Sequence, residues 1–223
     1  MTRRPVRRVL AWSAALAAIA LAAVAALHAP PVMRLFGGGG AGGGCPFGAE
    51  RAAGTPEQRD ASRKAALVRL KGTGDAPARP AGDFALGVTT RADLLAWAGG
   101  RGADCRPGRD RQGLECDVGR EGARAVVYAD FDRADRLVGL MSMSYSRGAE
   151  EAGSTLAAAS AALQGAVGAP TRATGEGTPA YLSAGPLRQA RAEYRRANYF
   201  ASLSATNMGP GGYLVSQVYQ ALD

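Results

Sequence analysis

Histidine is nearly missing from this 223-residue chain, and the single one, His28, stands ahead of every segment that reads as folded. That removes Ser-His-Asp and Cys-His nucleophile systems and His-x-x-x-His zinc sites from the remainder. Lysine is almost as scarce: Lys64 and Lys71 are the only two, and both fall in a stretch that reads as a stalk. A Ser-Lys pair therefore has no place to form. Cysteine occurs three times, as Cys45, Cys105 and Cys116, and without further ligands nearby these do not make a zinc centre. The sequence names no catalytic residue, no metal-ligand set and no cofactor motif. Any catalysis would rest on carboxylates, Arg and Tyr.

Acidic residues are absent before residue 46, where five of the 27 basic residues lie: Arg3, Arg4, Arg7, Arg8 and Arg34. Setting those five aside leaves 22 basic against 19 acidic residues, so the formal charge of +8 falls to +3 for the rest. A surplus that small does not concentrate a protein on a polyanion, and no nucleic-acid partner is expected.

What is present at the N-terminus is an address. Four arginines precede an uncharged run from Val9 to Leu27. As a helix it is about 28 Å long, close to the hydrocarbon thickness of a bilayer. Arginines on one flank place that flank in the cytoplasm. The expectation is a cytoplasmic tip and anchor over residues 1–36, spanning at about 9–27, with everything beyond His28 outside. The protein would then be single-pass in the inner membrane. The alternative is secretion to the periplasm after cleavage, for which Ala23-Val24-Ala25 offers a small-x-small site.

Pro30-Pro31 ends the helix, and the glycine-rich stretch 37–54 reads as a tether. No Lys-Ser or Lys-Thr follows its glycines, so it is not a phosphate loop. Thr55, Pro56 and Gln58 form a capping box that opens a helix over 55–72, ending at Gly72. Residues 73–82, with Pro77 and Pro80, read as a second linker.

Residues 83–223 read as one α+β domain, an antiparallel sheet with two helices packed on it. Phe84 to Gly87 reads as an entering strand. Thr90-x-x-Asp93 caps a short helix bearing Leu94, Leu95, Trp97 and Ala98, with Trp97 as a core anchor. Strands follow at 103–106 and 114–118, then in the alternations Ala125-Val127-Ala129-Phe131 and Gly139-Met141-Met143-Tyr145. Ser154 or Thr155 should open a second helix, with Leu156, Ala159, Leu163 and Val167 on one face and Gly168 and Pro170 closing it. Alternating strands return at 190–194, 201–205 and 215–219. The chain thus writes a helix followed by several strands twice over, which suggests two α-β-β-β halves.

Cys105 and Cys116 lie on strands expected to be neighbours. In the oxidising compartment implied by export they should form a disulfide, while Cys45 is left free or joins two chains as a dimer. Asp130-Phe131-Asp132-Arg133-Ala134-Asp135 has an Asp-x-Asp spacing that can hold calcium, but between two alternating strands it reads as a hairpin turn. Arg188, Arg191, Arg195 and Arg196 lie near Tyr194 and Tyr199. Strand parity separates Arg191 and Arg195 from Tyr194, which argues for a solvated face.

The phrase Leu86-Gly87-Val88-Thr89-Thr90-x-x-Asp93-Leu94 resembles the start of the first helix in small periplasmic domains of the SmpA/BamE and β-lactamase-inhibitor-protein-like type. Gly168-Ala169-Pro170 is similar to the Gly-x-Pro that follows their helix. The resemblance implies a domain that binds protein partners and has no catalytic residues to carry over. This chain departs from the lipoprotein members in lacking a lipobox at Cys45. The expected function is a membrane-anchored envelope protein whose periplasmic domain binds another protein or envelope ligand. The rival is a carboxylate-dependent hydrolase acting on a cell-envelope substrate.

Overall fold

The structure, a computed structural model, describes residues 61, 65–108, 113–119 and 125–222. The expected membrane span, the glycine tether, His28 and Cys45 lie outside the described residues. Among the described residues, no helix is long and apolar enough to cross a membrane.

The centre of the fold is an eight-stranded antiparallel sheet, accompanied by a two-stranded ribbon, β1 (Pro80–Ala81) and β2 (Phe84–Ala85). The first four sheet strands are β3 (Asp104–Pro107), β4 (Gly113–Asp117), β5 (Ala125–Phe131) and β6 (Leu137–Ser146). The last four are β7 (Arg172–Thr174), β8 (Gln189–Arg195), β9 (Tyr199–Asn207) and β10 (Tyr213–Ala221). The spatial order is β3-β4-β5-β6-β10-β9-β8-β7. Each half is a meander, and the last strand of one half pairs with the last strand of the other, Ser144 opposite Val215 and Leu140 opposite Tyr219.

A helix precedes each meander. Helix α1 (Arg91–Gly99) starts where its sequence says it should: the Thr90 hydroxyl accepts from the Asp93 amide, and the Asp93 carboxylate accepts from the Thr90 amide. Helix α2 (Ala149–Val167) starts at Gly148, more than a turn before the expected Ser154 or Thr155. Glu150 and Glu151 lie in its first turn, where carboxylates favour the positive helix end. Ser154 lies within the helix and donates to the Glu151 carbonyl. The C-terminal reading holds, since Gly168 has φ 85°, a conformation open to glycine. The last turn of α2 carries no basic residue of its own, and Arg196 supplies one by donating to the Val167 carbonyl.

A third helix, α3 (Pro179–Ser183), joins the two expected on the sheet. It is capped by Thr178 with Pro179 next to it, the same Thr-Pro start read at Thr55. Gly153 of α2 lies where a Cβ would come within 2.6 Å of the Gly177 carbonyl oxygen, so the helix can rest on the chain leading to α3 only as glycine.

Cross-strand partners share a face, so register sorts every strand residue. Leu114, Cys116, Val127, Ala129, Leu140, Val215, Tyr219, Ala201, Leu203, Ala205, Ala190 and Tyr194 face the helices. They join Leu94, Ala98, Leu156, Leu163, Val167 and Leu182 in one contiguous core. The expected α2 stripe is therefore the buried one, with Ala159 partly covered. Buried tyrosines carry their hydroxyls to partners: Tyr194 Oη lies 2.9 Å from Ser160 Oγ, and Tyr199 donates to the Pro80 carbonyl at 2.6 Å. Burial raises the pKa of Tyr199 well beyond that of free tyrosine and pushes Tyr219 up to about 12.

Three readings change. Residues 73–82 are not a loose linker, because Ala76 and Ala81 are buried in the core and the Ala76 amide donates to Asn198 Oδ1 at 2.8 Å. The apolar content of that stretch is three alanines and two prolines, too little to register as a pattern. The entering strand at Phe84 pairs with β1 alone and stays outside the main sheet. Trp97 is half-buried rather than central: its edge meets Phe84 at 5.0 Å, its Nε1 donates to Asp83, and the Arg101 guanidinium lies 4.4 Å over the ring.

Candidate functional site

The other face of the sheet carries none of the three helices, and its side chains stand outside the contiguous core. Parity assigns Val126 and Tyr128 of β5, Met141, Met143 and Tyr145 of β6, Leu214 and Val218 of β10, and Phe200 of β9 to this open face. The alternation Gly139-Met141-Met143-Tyr145 is thus a real strand pattern, but it points away from the helices. Tyr145 is 38% exposed, Met141, Met143 and Leu214 are half-buried, and Val126, Phe200 and Val218 are buried. An apolar strip therefore crosses the middle of the open face.

Its two ends differ in charge. On β3 to β5 the same face bears Asp104, Glu115, Asp117 and Asp130 against Arg106 alone. On β7 and β8 it bears Arg172, Arg191 and Arg195 against Glu193. Tyr194 and Tyr199 lie on the helix side, as parity required, so no aromatic platform accompanies these arginines. The arginine end is nevertheless more than a solvated face, because Glu193 is only 4% exposed. Its Oε1 accepts from Arg191 Nη2 at 2.8 Å and its Oε2 from Arg195 Nη2 at 2.9 Å. A carboxylate that deeply placed needs both partners. Arg195 Nη1 goes on to the Arg69 carbonyl at 2.9 Å, where the chain before β1 reaches this corner of the sheet.

Cys105 and Cys116 are directly opposed on β3 and β4 and form a disulfide. It ties the edge strand β3 to the sheet from the helix side, and Cys116 is wholly buried.

The aspartate run forms the β5–β6 turn. Asp132 accepts from the Ala134 and Arg136 amides, both at 2.9 Å, and from the Arg136 guanidinium. The Arg136 amide above all holds the Asp132 carboxyl below the ordinary range. Asp135, with φ 59°, pairs with Arg91 at 2.8 Å. These oxygens are occupied by donors from the turn and from α1. Among the described residues, no three His, Cys, Asp or Glu side chains form a metal-sized group. Asp93 is likewise held below the ordinary carboxylate range by its cap contacts with Thr90.

Comparison of the chain with family models, curated proteins and solved structures gave no match.

Proposed function

We propose that this chain is a non-catalytic binding protein of the cell envelope, anchored by its N-terminal apolar segment. Its periplasmic domain engages a protein partner through the open face of the sheet. The observation that carries this reading is the apolar strip of Met141, Met143, Tyr145 and Leu214 on the face opposite α1, α2 and α3. A sheet with only one face packed on a core normally shows polar residues on the other. Apolar side chains in the central strands, rimmed by charges of opposite sign, match the anatomy of a protein interface: a desolvated middle and a polar rim that sets orientation. The buried disulfide supports an oxidising location. The two halves, each a helix followed by a meander, fit the resemblance to SmpA/BamE and β-lactamase-inhibitor-protein-like domains, which are protein binders. The arginine-flanked run Val9 to Leu27 supports the single-pass topology.

The test is site-specific photocrosslinking in intact cells. A benzophenone side chain at Met143 should give a discrete protein adduct, and the same group at Ala157, on the exposed side of α2, should give none. Equal labelling from both positions, or from neither, overturns the open-face assignment. A C-terminal alkaline phosphatase fusion that stayed inactive would overturn the topology.

A further inference from the structure

The β7–β8 corner holds a depression of about 120 Å³ lined by Arg172, Thr174, Gln189, Arg191 and Glu193. Its positive groups are not equivalent. Arg195 is spent: Nε and Nη2 serve Glu193 and Nη1 serves the Arg69 carbonyl. Arg191 is fixed but not exhausted, with Nε on Ser202 Oγ at 3.1 Å and Nη2 on Glu193. Arg172 has no hydrogen bond or ion pair among the described residues, although the register puts it directly opposite Glu193. Two guanidiniums from its own strand already neutralise Glu193, so Glu193 does not require Arg172. Gln189 is held by Thr206 Oγ1 at 2.9 Å. The corner is a preorganised frame with three guanidiniums, one buried carboxylate and, at its mouth, a fork with no partner among the described residues.

We infer that this depression takes a carboxylate from the protein partner, an aspartate or glutamate side chain or a chain terminus, between Arg172 and Arg191. The inference rests on the open-face reading and names the chemistry the partner must bring to one end of it. Size argues for a single group, since about 120 Å³ is room for roughly four waters and lies well below the ~300–1,000 Å³ of small-molecule sites. Charge argues against a polyanion, because the far end of the same face is acidic at Asp104, Glu115 and Asp117. Geometry argues for a planar acceptor, which guanidinium forks bind bidentately. The neighbouring apolar strip asks for hydrophobic side chains beside the acid, so the matching ligand is an acidic and apolar peptide segment.

The experiment is a titration of the full chain, in mild detergent, followed by nitrogen-15 amide shifts. The probes are acetate, inorganic phosphate, the peptide acetyl-Leu-Asp-Leu-Asp-Leu-amide and its Asn counterpart. The Asp peptide should shift Arg172 to Thr174 and Gln189 to Glu193, binding at least tenfold more tightly than the Asn peptide. Acetate should move the same amides at higher concentration. Arg172→Gln should weaken the Asp peptide about tenfold, Arg172→Lys should recover only part of that loss, and both should leave thermal stability unchanged. Phosphate binding more tightly than any carboxylate overturns the assignment, as does a pocket that no probe moves. A peptide that binds over Met143 and Leu214 but ignores the Asp→Asn change overturns the carboxylate pocket and leaves the open-face reading standing. Loss of the Met143 crosslink with a working pocket does the reverse.

Discussion

The two faces of one sheet are made from the same strands and behave as different materials. The helix face is filled by Leu203, Ala201, Ala205, Tyr194 and Tyr219, all nearly inaccessible and all in one core with α1, α2 and α3. The open face carries methionines, two tyrosines and a leucine in its middle and charges at its ends. Stability resides on the first face. The second leaves Met141, Met143, Tyr145 and Leu214 only partly covered beside the buried Val126, Phe200 and Val218, and that difference is the main argument for binding.

The sharpest break in the comparison comes from matched truncations. Leu203→Ala, on the helix face at 0% exposure, should lower unfolding free energy by about 2–5 kcal/mol in urea titrations. Met143→Ala on the open face should lower it by less than ~1 kcal/mol while weakening partner capture. Similar losses from both would mean that the open face is core. Cys105→Ser with Cys116→Ser should cost about 2–3 kcal/mol relative to the oxidised protein, checked by denaturation with and without reductant. Tyr194→Phe removes a buried hydroxyl that meets Ser160, and should cost about 1 kcal/mol by the same assay.

The smallest effect near neutrality is the most diagnostic for the helix face at alkaline pH. Tyr199 and Tyr219 have folded-state pKa values raised by burial, so the folded state holds protons that the unfolded chain releases near pH 10. Their contribution is complete below pH 10 and is lost as pH rises towards about 12, where Tyr219 ionises. Absorbance at 295 nm should show these two of the seven tyrosines ionising only together with unfolding. Earlier ionisation of all seven would show that the helix face is wet.

Much of the architecture was legible in short-range chemistry. The Thr90 and Asp93 capping box, the Gly168 stop and the alternations of β5, β8, β9 and β10 are local signals, and they appear where they were expected. The opposed cysteines needed only two neighbouring strands. The start of α2 is not legible locally, because Ser154 has the chemistry of a cap and instead back-bonds inside the helix. Helix α3 leaves no periodic signal in its five residues, and only Thr178-Pro179 marks its start. The corner site was half visible. Parity placed Arg191, Glu193 and Arg195 together, but Arg172 lies some twenty residues away and joins them only through β7–β8 pairing.

By itself, then, the sequence determined which chemistry this chain lacks, where most helices and strands begin and end, and how strand residues alternate. Those follow from residue identity, capping and the two-residue period of a strand. Tertiary structure decided which side of each alternation the helices would cover. The period is the same for either face, and only α2 and α3 lying over β6, β9 and β10 left Met141, Met143 and Leu214 on the other side.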